Sequence, residues 1–427
     1  MTKETTQIPL QLTTERELPV HNLAKDAEGL KALTIWQERG CRGTLEVCTG
    51  TGKTKMGLDA ASALIWKMVE NNLIPKVLII VPTEELRDSE WMKEAIKWEV
   101  EFLFTEGFME TVCIQSAYKW TGETYDLVVV DEIDTTLSPE YIKFYSQNTC
   151  KRILGLTATV PDEKRTLLST IAPVVHTITT AEAKVKELVA NYRLFNVPIG
   201  LTAEETRQYQ VYNDNIDESS KILAGNPNEN IFGLAQLYIR NPRADAVKRR
   251  EAFVYMKAVR DRLYLTHGAL HKITTTRDIV KALKPKKCII FSESIEVAEH
   301  IGRALNCLVY HSKMDRVRRK LNLAWFNDPA SNYTTLSTVK ALDRGINIEA
   351  TELIIIASGS SKPYQFTQRL GRGLRLTEDD NKITICINLY AEGTKEMDRV
   401  AKRCENDTPT WLPSVQALFK TVKPFHE

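Results

Sequence analysis

No stretch of this 427-residue chain approaches the apolar length that a membrane span requires, and Met1 to Gln7 lacks the hydrophobic core of an export signal. The expectation is a soluble cytoplasmic protein with no membrane partner. There is no CxxC pair among the eight cysteines at positions 41, 48, 113, 150, 288, 307, 386 and 404, and most lie inside apolar runs. They read as reduced core residues, which argues against both a zinc site and a disulfide framework. Charge of one sign is also lacking: 57 basic against 55 acidic residues leave a net charge of +2, so any nucleic-acid surface must be a local patch. Repeats and low-complexity tracts are absent as well. What the chain does have is 43% apolar residues, enough to build the cores of two or three domains.

Short β-branched runs recur between helical stretches at Thr44 to Val47, Val77 to Val81, Thr111 to Gln115, Leu127 to Val130 and Ile153 to Leu156. Their unbroken apolar character predicts a parallel α/β sheet covered by helices on both faces. The same rhythm returns at Cys288 to Phe291, Cys307 to Tyr310, Leu353 to Ile356 and Ile383 to Ile387, predicting a second α/β domain. Between them, residues 198–285 turn helical, opening with a capping box at Thr202 to Glu205. This middle segment is lopsided in charge, since residues 240–287 hold 14 Lys/Arg against 4 Asp/Glu. On a helix through Val247 to Leu265, Ala252, Met256, Val259 and Leu263 form one stripe, with Arg249, Arg250, Lys257 and Arg260 on its flank.

The chemistry begins at Cys48-Thr49-Gly50-Thr51-Gly52-Lys53-Thr54, which follows the first β-like run and opens a helix with a stripe at Met56, Ala60, Ala63, Leu64 and Met68. Amides freed by glycine and a helix N-terminus can wrap a triphosphate, while Lys53 reaches its β/γ-phosphates and the Thr54 hydroxyl ligands Mg²⁺. Thr49, Gly50, Thr51 and Gly52 complete the expected nucleotide-binding set. The outer glycine of the general P-loop pattern is missing, with Val47 in its place. Some 80 residues on, Leu127 to Val130 runs into Asp131-Glu132-Ile133-Asp134, two adjacent carboxylates at the carboxyl end of a buried strand, where α/β sheets hold ligands. Asp131 suits Mg²⁺ and Glu132 suits the base that activates water.

Taken together, these residues resemble superfamily 2 helicases and translocases, collinearly from about residue 25. The P-loop looks like motif I, Val81 to Arg87 like motif Ia, Asp131 to Asp134 like motif II and Thr157-Ala-Thr159 like motif III. Further on, Phe291 to Ser294 is similar to motif IV, Ala341 to Asn347 to motif V, and Gln368-Arg-Leu-Gly-Arg-Gly-Leu-Arg375 to motif VI. The resemblance implies two RecA-like parallel-sheet domains in tandem, at 1–197 and 286–427, with the helical basic segment 198–285 inserted at the start of the second. It implies a cleft between them that hydrolyses Mg-ATP, with Arg372 and Arg375 neutralising charge on the γ-phosphate, Gln368 near that phosphate or the attacking water, and Gly345 allowing close approach to the nucleotide. Arg369 is open to a structural role. No glutamine lies in Lys25 to Leu30, where many members read adenine, and Asn347 stands where many have Asp.

Motifs Ia, IV and V of the family face the nucleic-acid backbone, which nominates Thr83, Arg87 and Thr338 as contacts beside Arg249, Lys257 and Arg260. Trp91, Trp98 and Trp120 are candidates to stack bases or to be buried, and His311 is expected to be structural. Within the superfamily the chain is similar to the compact XPB, RecG and UvsW-like group and to the motors of restriction translocases. The carrying features are the Trp36 helix, the basic helical segment and Pro409 to Val415. The leading expectation is a monomeric ATP-dependent DNA helicase or branch-migrating translocase of the phage recombination or repair type. An RNA helicase is one alternative, and a nucleotide-gated nucleic-acid-binding module without productive unwinding is another.

Overall fold

The computed structural model describes residues 23–84, 86–226, 229–339, 348, 351–374 and 383–426. Its strands, in chain order, are β1 (Arg42–Val47), β2 (Val77–Val81), β3 (Met109–Cys113), β4 (Thr124–Tyr125), β5 (Leu127–Asp131), β6 (Thr149–Cys150), β7 (Ile153–Thr157) and β8 (Val174–Ile178). They continue with β9 (Asn191–Ile199), β10 (Cys288–Phe291), β11 (Leu308–Tyr310), β12 (Thr335–Thr338), β13 (Leu353–Ile356), β14 (Ile383–Ala391) and β15 (Thr410–Trp411). Two large sheets result, in the orders β3-β2-β5-β7-β1-β8 and β11-β12-β10-β13-β14-β9-β15, and β4 pairs with β6 in a small third sheet. Every pairing among the described strands is parallel.

The central strands β2, β5, β7, β10 and β13 are buried along their whole length, as their continuous Val/Ile/Leu character requires when helices cover both faces. In the first sheet, Glu46 lies opposite Thr157 and Asp131 opposite Leu156. The carboxyl ends of β1, β5 and β7 therefore lie at one level, where ligands bind in open α/β sheets.

Some local expectations shift. The run expected as a strand through Gln115 ends at Cys113, because Ile114–Ala117 coils into one helical turn. On the helix Lys53–Glu70 the buried face is Met56, Gly57, Leu58, Ala60, Ala61 and Ile65, whereas Ala63 is exposed and Leu64 and Met68 are half-buried. Gly57 is the reason: a Cβ there would stand 3.2 Å from Trp91 Cζ3, so the helix turns its smallest residue to a large buried ring.

The change of sheet comes earlier than residue 197. β9 belongs to the second sheet, pairing with β14 from Asn191 opposite Ile383 to Ile199 opposite Ala391, so a boundary at 197 cuts through a core strand. Its polar Asn191, Arg193 and Asn196 disguise it in the sequence, yet Asn196 is fully buried and meets Asn388 of β14 at 2.8 Å.

The capping box forms as written: Glu205 N donates to Thr202 Oγ1 at 3.2 Å and Thr202 N to the Glu205 carboxylate at 2.8 Å. It opens the helix Ala203–Leu223, followed by Ile231–Arg240, Ala246–His267 and Leu270–Leu283. The first three share a small core around Leu223, Ala235 and Ala252. The fourth docks Ile279 and Leu283 into the core of the second sheet.

Candidate active site

Gly50 and Gly52 take φ angles of 92° and 91°, the left-handed region that glycine enters without Cβ strain. Gly52 is also the N-cap of the helix Lys53–Glu70, and no side chain caps it. The first-turn amides and the positive end of the helix dipole are thus presented at the loop, the setting for a phosphate. Thr51 is buried and pins the loop by donating its hydroxyl to Cys48 O at 2.8 Å. The Lys53 ammonium folds back to donate to Val47 O at 3.2 Å, and Thr54 is half-buried on the first helical turn. Val47 itself is fully buried as the last residue of β1, so the missing outer glycine is a core position of the strand. Beside it, burial pushes the Cys48 thiol up to about 11, the state of an unreactive core cysteine.

At the end of β5, Asp131 is 7% exposed. Burial raises its carboxyl above the ordinary value, opposed by the Lys53 charge, by Trp91 Nε1 donating at 3.3 Å, and by the Glu132 amide. Glu132 adopts φ 50° and ψ 54°, a left-handed conformation that costs a non-glycine residue about 1–3 kcal/mol and clusters at functional sites. Asp134 is fully buried, accepting from Thr157 Oγ1 at 3.1 Å, while Lys164 Nζ donates to its carbonyl at 2.7 Å. The acidic loop and the Thr157-Ala-Thr159 loop are therefore fastened together.

A residue the sequence reading passed over holds the other side of that loop. Glu46 of β1 accepts Val160 N at 2.8 Å and both terminal nitrogens of Arg165 at 2.9 and 3.1 Å. Its signal was an acid inside an otherwise apolar strand.

The residues expected from the second domain arrive on the helix Pro363–Leu370 and the turn after it. Gln368, Arg369 and Arg372 are 5%, 2% and 7% exposed. Arg369 pairs with Glu293 at 3.0 Å and lies over the Phe291 ring at 5.1 Å, which gives it a structural part in the second domain. Beyond Arg369 the chain crosses to the P-loop. A Cβ on Gly371 would overlap the Thr49 side chain, standing 2.7 Å from Cγ2 and 2.8 Å from Oγ1. The Leu374 carbonyl lies 3.3 Å from the Cβ position of Gly50 and accepts Ala190 N at 2.9 Å. Residues 371–374 thus rest directly on the glycine loop. Arg375 and the 341–347 stretch containing Gly345 lie outside the described residues.

The nucleic-acid candidates fare unevenly. Thr338 is fully buried and donates to the carbonyls of Tyr310 and Val339 at 2.9 and 3.0 Å, so it is unavailable to a phosphate. It is a core residue at the end of β12. Trp91 is likewise fully buried, a support for Asp131 rather than a stacking platform. Trp98 is half-buried, with Lys55 and Lys97 over its ring at 4.7 and 5.0 Å, and Trp120 packs half-buried on the core of the first domain. Thr83 Oγ1 accepts Leu86 N at 3.4 Å, and Arg87 is half-buried and paired with Asp88 at 2.6 Å. On the helix Ala246–His267, Lys257 and Arg260 are exposed and Arg249 is half-buried, with exposed Phe253 and Tyr264 on the same helix. His311 is buried against Glu299 at 2.8 Å, a structural pairing.

Two RecA-like sheets, a glycine loop beside the Asp131–Glu132 pair, and a second-domain turn carrying Arg372 that rests on that loop define a P-loop motor. The fold and the matches that follow support a superfamily 2 helicase or translocase that is XPB-like, and such proteins are nucleic-acid-stimulated ATPases. Residues 20–162 match the family model of the type III restriction enzyme res subunit, and residues 271–377 match that of the helicase conserved C-terminal domain. The chain is 28% identical over 393 residues to the DNA 3'-5' translocase XPB2 of Sulfurisphaera tokodaii, covering 88% of this chain and 83% of that protein. In fold it is similar to S. cerevisiae Dbp5 bound to RNA and ADP BeF3, with a TM-score of 0.58 at 14% identity over 92% of this chain and 91% of that one. No helix among the described residues is long and apolar enough to cross a membrane.

Proposed function

We propose that this chain is an ATP-driven DNA translocase or helicase that acts as a monomer in the cytoplasm, hydrolysing Mg-ATP where its two sheets meet. The observation that carries the reading is the seating of residues 371–374 against Thr49 and Gly50, which joins the second-domain arginines to the phosphate loop. The amides of Thr49 to Gly52 and the Lys53 ammonium hold the β- and γ-phosphates. Thr54 and Asp131 would hold Mg²⁺ through one hydroxyl and one carboxylate, an oxygen-only pair of the kind that ion takes. Bound Mg-ATP supplies the phosphoryl group and the charge that draws the domains together. Glu132 takes the proton of the attacking water; Gln368 orients that water, and Arg372 with Arg375 neutralises the γ-oxygens as the cleft closes. Gly345 lets the backbone approach the nucleotide.

DNA is favoured over RNA by the relationship to a protein named as a DNA translocase. Exposed Lys257 and Arg260 beside Phe253 and Tyr264 support a clamp on the DNA backbone, a charge-and-stacking surface without sequence readout. The test is ATP turnover and strand displacement on single-stranded, duplex, forked and four-way DNA and on RNA of equal length, with Lys53→Ala as the blank. DNA-stimulated turnover above the blank is expected. Stimulation by RNA alone overturns the substrate, and nucleic-acid binding without turnover overturns the motor.

A further inference from the structure

The second domain contains a buried cluster of charges that the hydrolysis chemistry leaves unused. Lys272, on the helix Leu270–Leu283, meets both oxygens of Glu396 at 2.6 and 2.7 Å, and both side chains are 1% exposed. Glu396 also accepts Ala391 N at 2.7 Å, at the end of β14. Seven residues further along the helix Glu396–Arg403, and so on the same face, Arg403 is 2% exposed. It donates to Gly359 O at 3.0 Å, while its Nε and Nη1 have no hydrogen-bond partner among the described residues.

Gly359 is the meeting point with the arginine helix. A Cβ there would stand 3.0 Å from Arg403 Cζ and 3.1 Å from Arg369 Nη1, so two guanidinium groups share the space beside one glycine. Arg369 is paired to Glu293 and lies three residues before Arg372. At the opposite end, the half-buried Arg399 feels the charges of Glu396 and of Arg262, and Arg262 is on the basic helix Ala246–His267. Arg262 lies over the Tyr209 ring at 6.0 Å, and Tyr209 accepts Lys395 N at 3.0 Å.

We infer that Lys272, Glu396, Arg399 and Arg403 are positioning residues that couple the basic helical segment to the arginine helix, so that nucleic acid held by the segment sets the placement of Arg372. The physical reason is the stiffness of buried charge. An ion pair in a low-dielectric interior cannot be stretched without leaving each ion uncompensated, so the helices it joins move as one body. Arg403 and Arg369 extend that body to Gly359 and the segment that rests on the P-loop. The two arginines repel, and the carboxylates of Glu396 and Glu293 oppose that repulsion, so a shift at either end is felt at the other.

This inference rests on the reading that DNA engages the helical segment, and the experiment separates the two. In the full chain, the paired apolar replacement Lys272→Met with Glu396→Leu removes both charges together, an exchange that buried pairs tolerate better than loss of one partner. ATP turnover is measured with and without saturating duplex DNA, alongside DNA affinity and melting temperature. The expected result is unchanged basal turnover and DNA affinity with DNA stimulation reduced about tenfold, within the range of ordinary coupling. Stimulation within about twofold of the parent, or basal and stimulated turnover falling in parallel, overturns the coupling. If the paired variant does not fold, Arg399→Met at the half-buried end is read by the same ratio, and unchanged stimulation there overturns it. A parent protein whose turnover DNA never stimulates refutes the functional reading instead.

Discussion

Gly371→Ala isolates the contact on which the catalytic reading depends. Gly371 has φ −55° and ψ −18°, so alanine meets no backbone strain, and the gain in backbone propensity from a less free unfolded chain is about 0.4–1 kcal/mol. The added methyl group, however, overlaps Thr49 and stands 2.7 and 2.8 Å from its Cγ2 and Oγ1. Carbon atoms pack at roughly 3.5–4.0 Å, so the arginine-bearing turn and the P-loop must separate by about 1 Å. Misplacement on that scale costs catalysis about 100-fold, or roughly 2.7 kcal/mol of barrier. Overpacking costs about 1–3 kcal/mol, and the propensity gain offsets part of it. The expected outcome is a melting temperature near that of the parent with DNA-stimulated kcat down about 100-fold, measured by coupled ATPase assay and calorimetry. Adding Thr49→Gly, which deletes the overlapped atoms, should restore part of the rate. Parent-like kcat in a folded Gly371→Ala protein would refute the placement of the arginine turn on the loop.

Glu132→Gln keeps the size of the side chain and removes the base, so turnover should fall about 100- to 10,000-fold while nucleotide affinity measured by titration stays near the parent's. Trp91→Phe removes a donor that favours the charged form of Asp131, so the acid limb of the kcat profile should move to higher pH; an unmoved limb counts against Asp131 as the titrating group. The Asp131 carboxyl is already held above its ordinary value of 3.8 by burial. The folded state therefore binds the extra proton, and the stability this contributes, complete below that value, is lost as pH rises through the folded-state value, a trend readable in denaturant midpoints. Charge reversal at Arg249, Lys257 and Arg260 should weaken DNA binding and flatten its dependence on salt, because fewer counterions are released; parent-like salt slopes would remove these residues from the track.

The ATPase side was legible because its chemistry is local. A glycine loop, an Asp-Glu pair after a buried strand and the arginine-rich run Gln368 to Arg375 each announce themselves within about eight residues, and parallel strands buried on both faces announce themselves by unbroken apolar runs. Thr338 misled, and Trp91 stayed open between stacking and burial, because a hydroxyl or an indole has the same letter whether it faces solvent or the core. The sequence held nothing to say that the Thr338 hydroxyl donates to Tyr310 O, 28 residues away in the chain. β9 was missed because its buried polar residue Asn196 is satisfied by Asn388, a partner 192 residues distant.

By itself, then, the order of residues determined the class of motor, the positions of its loop and carboxylates, and the presence of a basic helical segment, since these follow from short-range patterning and backbone preference. Only the tertiary structure decided that Gly371 rests on Thr49, that Thr157 braces the acidic loop while Glu46 holds the segment after Thr157 through Val160 and Arg165, and that Lys272 and Glu396 lock a helix of the basic segment to the second sheet. Those contacts join residues 23 to over 300 positions apart, and which distant groups share a low-dielectric interior depends on how sheets and helices pack, not on any local run of letters.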